Sequence, residues 1–320
     1  MSIWSKAWER IKQLTGDGPD SADSVFLLGP RSAGKTVFLA SLFNIEDLRL
    51  ERISKATQAW KEQTMSVFLE GEVPRRTDFL TDYSAVNDFK DQARRDWQRL
   101  ASSTSDRHMF QRMMLDVTVS FPRESGKYRV CLPDPSGEIF VQPNLLELEG
   151  YSQYLEALVG AMGYVVIVGG GPRVCQGESG QEATAVLKVL HKLSEHAGNA
   201  SHITRPVAVV MMKMDQHIEC CLGCHEKTAA ARTSCLRASG LDSERMATLF
   251  GTWFHRVNLL TIKGVVAPEK LRFFGMSAYG FGPDGEAACK LADNGIDFVP
   301  TRGARPVNLI EPLKWALGVD

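Results

Sequence analysis

Eight residues, Gly29-Pro30-Arg31-Ser32-Ala33-Gly34-Lys35-Thr36, fit the pattern G-x-x-x-x-G-K-[ST]. A loop of this kind turns successive backbone N–H groups toward one centre, which suits a polyphosphate. The Lys reaches the β/γ oxygens and the Thr hydroxyl meets Mg²⁺. The flanks agree with this. Val25-Phe26-Leu27-Leu28 is a short apolar run of buried-strand type, and Val37 to Phe43 begins an apolar helix. The loop therefore joins a strand to a helix N-terminus, where unpaired N–H groups favour an anion. As a phosphate cradle the stretch comprises Gly29, Arg31, Ser32, Ala33, Gly34, Lys35, Thr36 and Val37.

The 320 residues are 44% apolar, enough core for one large domain or two ordinary ones. A net charge of −1 gives no electrostatic pull toward nucleic acid or an anionic membrane. No signal-peptide pattern and no apolar run long enough to span a bilayer is present, so no transmembrane segment is expected. Seven cysteines, an odd number without a secretion signal, fit reduced thiols in a cytoplasm.

Residues 1–22 read as an amphipathic helix and linker. Trp4, Trp8, Ile11 and Leu14 share a face, with Lys6, Arg10 and Lys12 around them. Such a helix can fold back on its own domain, dock on a partner or touch a membrane surface; the first suits its short, weakly charged form. Residues 23–320 read as one domain with a polar, helical insertion at about 45–112. In that insertion Ile53, Ala56 and Trp60 make one stripe and Val86, Phe89, Ala93, Trp97 and Leu100 another. Met113–Phe121 and Tyr128–Leu132 are expected to form a hairpin. A helix over Leu145–Leu158, a strand at 164–168, a helix through Val186–Leu193 and a strand at 207–211 follow. A helix through Met246, Phe250, Trp253, Phe254 and Val257, a strand at 271–276 and a final helix near 309–317 close the chain. This alternation predicts an α/β, doubly wound, mostly parallel P-loop NTPase sheet with one antiparallel hairpin strand and a helical insertion.

Ligands of open α/β sheets collect at the carboxyl ends of strands. Besides the phosphate loop, three predicted strand ends carry suitable residues. Asp134-x-x-Gly137 offers a carboxylate for a Mg²⁺ shell and a flexible N–H for a γ-phosphate. Met212-Lys213-Met214-Asp215 offers a carboxylate able to accept the ring N–H and the exocyclic amino group of guanine, with the Lys213 stem covering the base. Ser277-Ala278 offers backbone donors for the guanine oxygen.

In the order of these motifs the chain resembles the TRAFAC-class, Ras-like GTPases, whose series is phosphate loop, switch Thr, D-x-x-G, [NT]-K-x-D and S-A. The likeness covers about 23–320. Val37-Phe38-Leu39-Ala40-Ser41-Leu42 after Gly-Lys-Thr, the form Asp134-x-x-Gly137-Glu138 and the closing Pro306-Val307-Asn308-Leu309-Ile310-Glu311-Pro312-Leu313 resemble a bacterial subgroup of the double-GTPase type, which serves conflict or defence systems. The resemblance implies GTP and GDP as ligands, Mg²⁺ as cofactor, and a protein effector or regulator as partner. It implies Thr36, Asp134 and a switch Thr on the metal. Thr77, in a Pro-Arg-Arg-Thr loop, fits that switch position, with Thr104 as its rival.

Three departures bear on activity. Met212 stands where the family has Asn or Thr, removing a side-chain tie to the phosphate loop. Glu138 stands where a Gln orients the attacking water, and its charge beside a γ-phosphate predicts slow or partner-completed hydrolysis. Arg31 stands where many members have Gly; it is either a solvated loop residue or an arginine finger supplied in cis. The implied catalytic set is then Lys35, Glu138, Thr77 and Arg31. A non-hydrolysing scaffold, and a P-loop ATPase or kinase with a chance Met-Lys-Met-Asp, are the other readings.

His217, Cys220, Cys221, Cys224 and His225 form a separate cluster. Cys221-x-x-Cys224-His225 matches the c-type haem attachment pattern, which requires export; a zinc clip from Cys220 or Cys221, Cys224 and one or two of the histidines is geometrically possible, although zinc fingers usually bring a second pair of ligands from a distant segment and only Cys235 is near. Reduced thiols in the loop and helix after the base motif are the plainer expectation.

Overall fold

The computed structural model describes residues 24–29, 33–42, 49–53, 114–120, 127–133, 158–169, 180–196, 202–291, 298–301 and 304–319. The expected N-terminal helix and linker, the stripes and loop between 56 and 100, Thr104 and most of the expected 145–158 helix lie outside these residues.

The amino-terminal half supplies β1 (Ser24–Leu28), α1 (Lys35–Leu42), β2 (Arg49–Ile53), β3 (Met114–Ser120), β4 (Lys127–Pro133), β5 (Gly163–Val168) and α2 (Gly180–His196). The rest supplies β6 (Val207–Met211), α3 (Ile218–Leu222), α4 (Ala229–Gly240), α5 (Ser243–Trp253), α6 (Arg256–Val265), β7 (Leu271–Gly275), β8 (Cys289–Leu291), β9 (Phe298–Pro300) and α7 (Ile310–Leu317). Seven strands join in one sheet, ordered β2-β3-β4-β1-β5-β6-β7, with β8 and β9 forming a separate hairpin. β4, β1, β5, β6 and β7 run parallel; β3 is antiparallel to both of its neighbours. This is an α/β fold with a mostly parallel sheet, consistent with the P-loop type, and β3–β4 is the expected hairpin.

Why the central strands are apolar at every position follows from their two covered faces. Phe26, Leu28, Tyr164, Val166, Val168, Val209 and Met211 pack on one side with Val186, Val189, Leu190 and Leu193 of α2 and with Met246, Phe250 and Trp253 of α5. The alternate residues Val25, Leu27, Val165, Ile167, Ala208 and Val210 pack on the other with Phe38 and Leu42 of α1 and Leu313, Ala316 and Leu317 of α7. Each fully buried Leu or Phe in these layers contributes about 2–3 kcal/mol through area removed from water. Among the described residues no helix is long and apolar enough to cross a membrane.

The structure corrects three expectations. Arg49–Ile53, assigned to the polar helical insertion, is the strand β2. Leu50 pairs with Val119 and Ile53 with Val117, with a register shift between Leu50 and Arg52. The extra residue sets a three-residue spacing opposite a two-residue one, so a bulged strand imitates helical periodicity. Secondly, the expected single helix through Val257 is two. His255 has φ +69, which ends α5, and Val257 is 71% exposed on α6 instead of sharing the buried face of Phe250. Thirdly, the β8–β9 hairpin was not foreseen; its three-residue strands are too short to show alternation.

Asn308 fastens three elements at one point. It sits at φ +59, and its Nδ2 donates to Leu236 O of α4 at 2.8 Å and to Gly275 O at the end of β7 at 3.0 Å. Replacing Asn308 with Ala removes both of these buried bonds and keeps a left-handed backbone without the side chain suited to it. The expected loss is about 3 kcal/mol of unfolding free energy, measured by denaturant titration, and Asn308→Gly should recover about 1 kcal/mol of it by relieving the backbone.

Candidate functional site

Because β4, β1, β5, β6 and β7 are parallel, their carboxyl ends share one edge of the sheet. At the end of β1 the chain turns at Gly29. A Cβ there would collide with the carbonyl oxygen of Ile167 on β5, so only glycine lets the loop leave the sheet at this point. Gly34 closes the described part of the loop at φ +102, a conformation that L side chains rarely adopt. The first bond of α1 follows, from Phe38 N to Gly34 O at 2.8 Å. Lys35 extends back along the loop and its Nζ donates to Gly29 O at 2.6 Å, so the ammonium spans the loop from last turn to first. Val37 is half-buried in the first turn beside the backbone of Thr36. Arg31 and Ser32, within the loop, lie outside the described residues.

The second wall comes from β6. Its hydrogen bonding continues past the strand, with Met212 N to Val168 O at 3.0 Å, Met276 N to Met211 O at 3.0 Å and Met214 N to Met276 O at 3.1 Å. Lys213 then takes φ +63 and leads into a short 3₁₀ turn, Met214–Gln216. A non-glycine residue at positive φ costs about 1 kcal/mol or more, and the continued strand pairing on both sides holds it there. Met212 is buried with Ala33, Phe38 and Ala278. A Cβ on Gly34 would stand 3.2 Å from Met212 Cε. The residue expected to lack a tie to the phosphate loop does touch it, by apolar packing and not by a hydrogen bond.

Asp215 is the most constrained group on this edge. It is only 5% exposed, and burial raises its pKa. The Ser277 hydroxyl, a backbone N–H and the Lys213 ammonium act against that rise without cancelling it. Its Oδ2 has no hydrogen-bond partner among the described residues. A buried carboxylate oxygen left bare costs on the order of 1–3 kcal/mol, so the fold retains this group at the expense of its own stability.

Ser277 and Ala278 complete the wall from the end of β7. Ser277 is fully buried, and its Oγ accepts from Tyr279 N at 3.2 Å and Gly280 N at 2.8 Å while its hydroxyl donates to Asp215. Behind it Ser277 and Val307 exchange backbone bonds, N to O at 3.2 Å and 2.8 Å. Ser41 of α1 donates to Ala278 O at 3.5 Å, linking the phosphate-loop helix to this segment. Ser277 was expected to act only through its backbone. Its side chain proves to organise the loop, a role that the spacing Ser277-x-x-Gly280 could have signalled, since a Ser hydroxyl caps N–H groups two and three residues on.

The structure thus brings together Gly29, Ala33, Gly34, Lys35, Val37, Lys213, Asp215, Ser277 and Ala278. Asp134, Gly137 and Glu138 follow β4, beside β1, but lie outside the described residues, as does Thr77.

The cysteine cluster has a different geometry. Cys220 is exposed, Cys221 is half-buried, and Cys224 points into the core near Cys235. His217 is buried edge-on to Trp253, their ring centroids 5.3 Å apart, and burial lowers its pKa. Among the described residues no three His, Cys, Asp or Glu side chains converge as a metal site. One charged clasp stands nearby. Arg232 of α4, 3% exposed, donates from Nε to Glu226 O at 2.7 Å and from Nη1 to Gly285 O at 2.8 Å, and pairs with Glu219 and Glu286. It thereby ties the loop after the Ser277 segment to α3 and α4.

No protein-family model matches the chain. No curated protein matches it. Among solved structures, the GTPase-like domain of S. cerevisiae Ski7, bound to GTP, is similar at 13% identity and a TM-score of 0.38, over 80% of this chain and 42% of that one. At that score the likeness assigns neither fold nor activity.

The electrostatics of Asp215 give a signed prediction. Its raised folded pKa means that the folded state holds the proton more tightly than the unfolded chain. Stability is therefore lost as pH rises from the unfolded carboxylate value through the folded one. Asp215→Asn should raise the melting temperature by about 2 °C or more at neutral pH, and the gain should shrink as pH falls toward about 4. Paired thermal melts across that range check it; a gain that does not depend on pH would contradict the assignment.

Proposed function

We propose that the chain is a Mg²⁺-dependent GTP-binding protein that hydrolyses GTP slowly and acts as a switch toward a protein partner. The observation that carries the reading is the bare Oδ2 of buried Asp215, set across the sheet edge from a glycine-built loop spanned by Lys35. Two acceptor oxygens in one plane match the ring N–H and exocyclic amine of guanine. Adenine offers no such pair of donors. With hydrogen bonds to a charged acceptor worth about 1.5–3 kcal/mol each, loss of both disfavours ATP by about a hundredfold or more.

In this reading Gly29 to Val37 cradle the phosphates, Lys35 neutralises the β/γ oxygens, the Lys213 stem lies along the base and the Ser277-Ala278 backbone donates to the guanine oxygen. Thr36, Asp134 and Thr77 hold Mg²⁺, which when bound offsets charge on the transferring phosphoryl group. Gly137 meets the γ-phosphate. Glu138 would add negative charge beside it, slowing attack by water until a partner offsets that charge, and Arg31 is the candidate arginine finger supplied in cis. Ordering of the 45–112 region by the γ-phosphate would signal the bound state. Membership of a bacterial conflict or defence system and a cytoplasmic location belong to the same proposal.

Heat-denaturing the purified protein and identifying what it releases tests the reading. GDP is expected. Intact GTP would favour a non-hydrolysing scaffold, and ADP or no nucleotide would count against guanine binding. Lys35→Ala should abolish triphosphate binding in a calorimetric titration. Asp215→Asn should lower GTP affinity by about a hundredfold and bring xanthosine triphosphate, whose exocyclic C2 oxygen accepts where guanine's amino group donates, above GTP.

A further inference from the structure

A groove of about 470 Å³ runs between α4 and the 305–307 segment. Phe281 and Val307, 9% and 2% exposed, are its deepest lining. One face of α4 supplies Ala230, Thr233, Ser234 and Arg237, at the spacing i, i+3, i+4 and i+7. Arg232, Leu236 and Gly240, on the rest of that helix, are buried. Small side chains along the exposed face leave the groove open, and Arg305 lines it from the other segment.

Charge in this groove is one-sided. Arg237 and Arg305 are both exposed, and the lining holds two hydroxyls and no carboxylate. Among the described residues neither guanidinium has an ion pair or a side-chain hydrogen bond. Arg232, on the same helix, is instead bonded to two carbonyls and paired with Glu219 and Glu286. Each unused guanidinium is a planar fork of donors that matches a carboxylate. The apolar floor asks for more than a free anion, since covering Phe281 and Val307 takes a carbon side chain.

The floor is also held in place before any ligand arrives. Val307 exchanges two backbone bonds with Ser277, and Arg305 N donates to Tyr279 O at 2.8 Å. Gly280, at φ +68, lies too close to the Arg305 carbonyl to carry a side chain. These contacts fasten the groove to the base-side wall at the ends of β6 and β7. A preformed floor spares a ligand most of the cost of ordering the protein.

We propose that this groove docks a peptide segment of a partner protein in which an apolar residue is flanked by Asp or Glu. The apolar side chain covers Phe281 and Val307, the flanking carboxylates pair with Arg237 and Arg305, and Thr233 and Ser234 add hydroxyl donors. Two cations, in a chain of net charge −1, are too few for nucleic acid, whose affinity comes from many phosphate contacts. The site stands whether or not the neighbouring sheet edge takes guanine.

The test pans the purified full chain against a random heptapeptide display library. Enriched peptides should carry two or more Asp or Glu around a Leu, Ile, Val or Phe. A labelled synthetic copy of the strongest should bind in fluorescence anisotropy with a Kd on the order of 10–100 μM, more weakly as salt rises. Reversing both charges, Arg237→Glu with Arg305→Glu, should weaken it by about tenfold or more, whereas Arg256→Glu, an exposed charge outside the groove, should keep it within about twofold. Ser234→Trp keeps both cations and should lose about tenfold or more by filling the groove.

Thermal melts establish that each variant is folded, and the exposed arginines can be reversed even where the Trp variant fails to fold. No enrichment, enrichment without acidic residues, or an affinity that survives charge reversal or filling in a folded variant would overturn the proposal. So would an oligo-dT strand that binds more tightly than the peptide through the same two arginines, since it would make the groove a nucleic-acid site. Each of these outcomes leaves GTP binding untouched, and failure of GTP to bind leaves the groove untouched.

Discussion

Parallel pairing of β1 with β4 on one side and β5 on the other is the constraint from which the rest of the structure follows. Parallel strands need crossovers, and crossovers lay helices on both faces, so β1 is buried throughout and its one exit is the carboxyl edge. There the chain must turn against the backbone of β5, and Gly29 beneath the Ile167 carbonyl is the residue that can. The same arrangement delivers the ends of β6 and β7 to that edge. The candidate site is thus a by-product of strand direction, furnished afterwards with side chains.

Those side chains divide the edge into two environments. At the end of β1, among the described residues, the Lys35 ammonium is engaged by the Gly29 carbonyl. At the ends of β6 and β7, a carboxylate is withdrawn from water and supported by a hydroxyl that itself accepts from two N–H groups. The first environment suits a ligand rich in charge and the second a ligand that brings directional donors. Met212 lies between them, and its packing against Gly34 couples the two without a polar contact.

Much of this was legible in the chain itself, and what was not has identifiable causes. The strands Val25–Leu28, Val165–Val168 and Val207–Met211 are continuous apolar runs because both faces are covered, and such runs are hard to misread. The residues at their ends were found by type and order. β2 escaped because Ile53 stands at helical spacing from Ala56 and Trp60, with which it was grouped as one stripe. The break at His255 escaped because Phe254 and Val257 continue an apolar pattern across it, and only the backbone reveals the positive φ. Met212 was read for the hydrogen bond it lacks, since a contact with a glycine 178 positions earlier depends on tertiary structure alone. Asn308 escaped for the same reason, as its partners are backbone carbonyls that no sequence pattern names.

Arg232 shows how the base-side wall is kept in place. Its guanidinium is buried beneath the 282–286 loop and bonded to carbonyls of Glu226 and Gly285. Lifting that loop alone would leave a charged group with unsatisfied donors in a poorly hydrated setting, a far larger penalty than loop entropy could return. The loop is therefore expected to open only together with α4, the two acting as a single cooperative unit. A segment that looks from its sequence like a disposable surface excursion, Gly282-Pro283-Asp284-Gly285, inherits the rigidity of the helix beneath it.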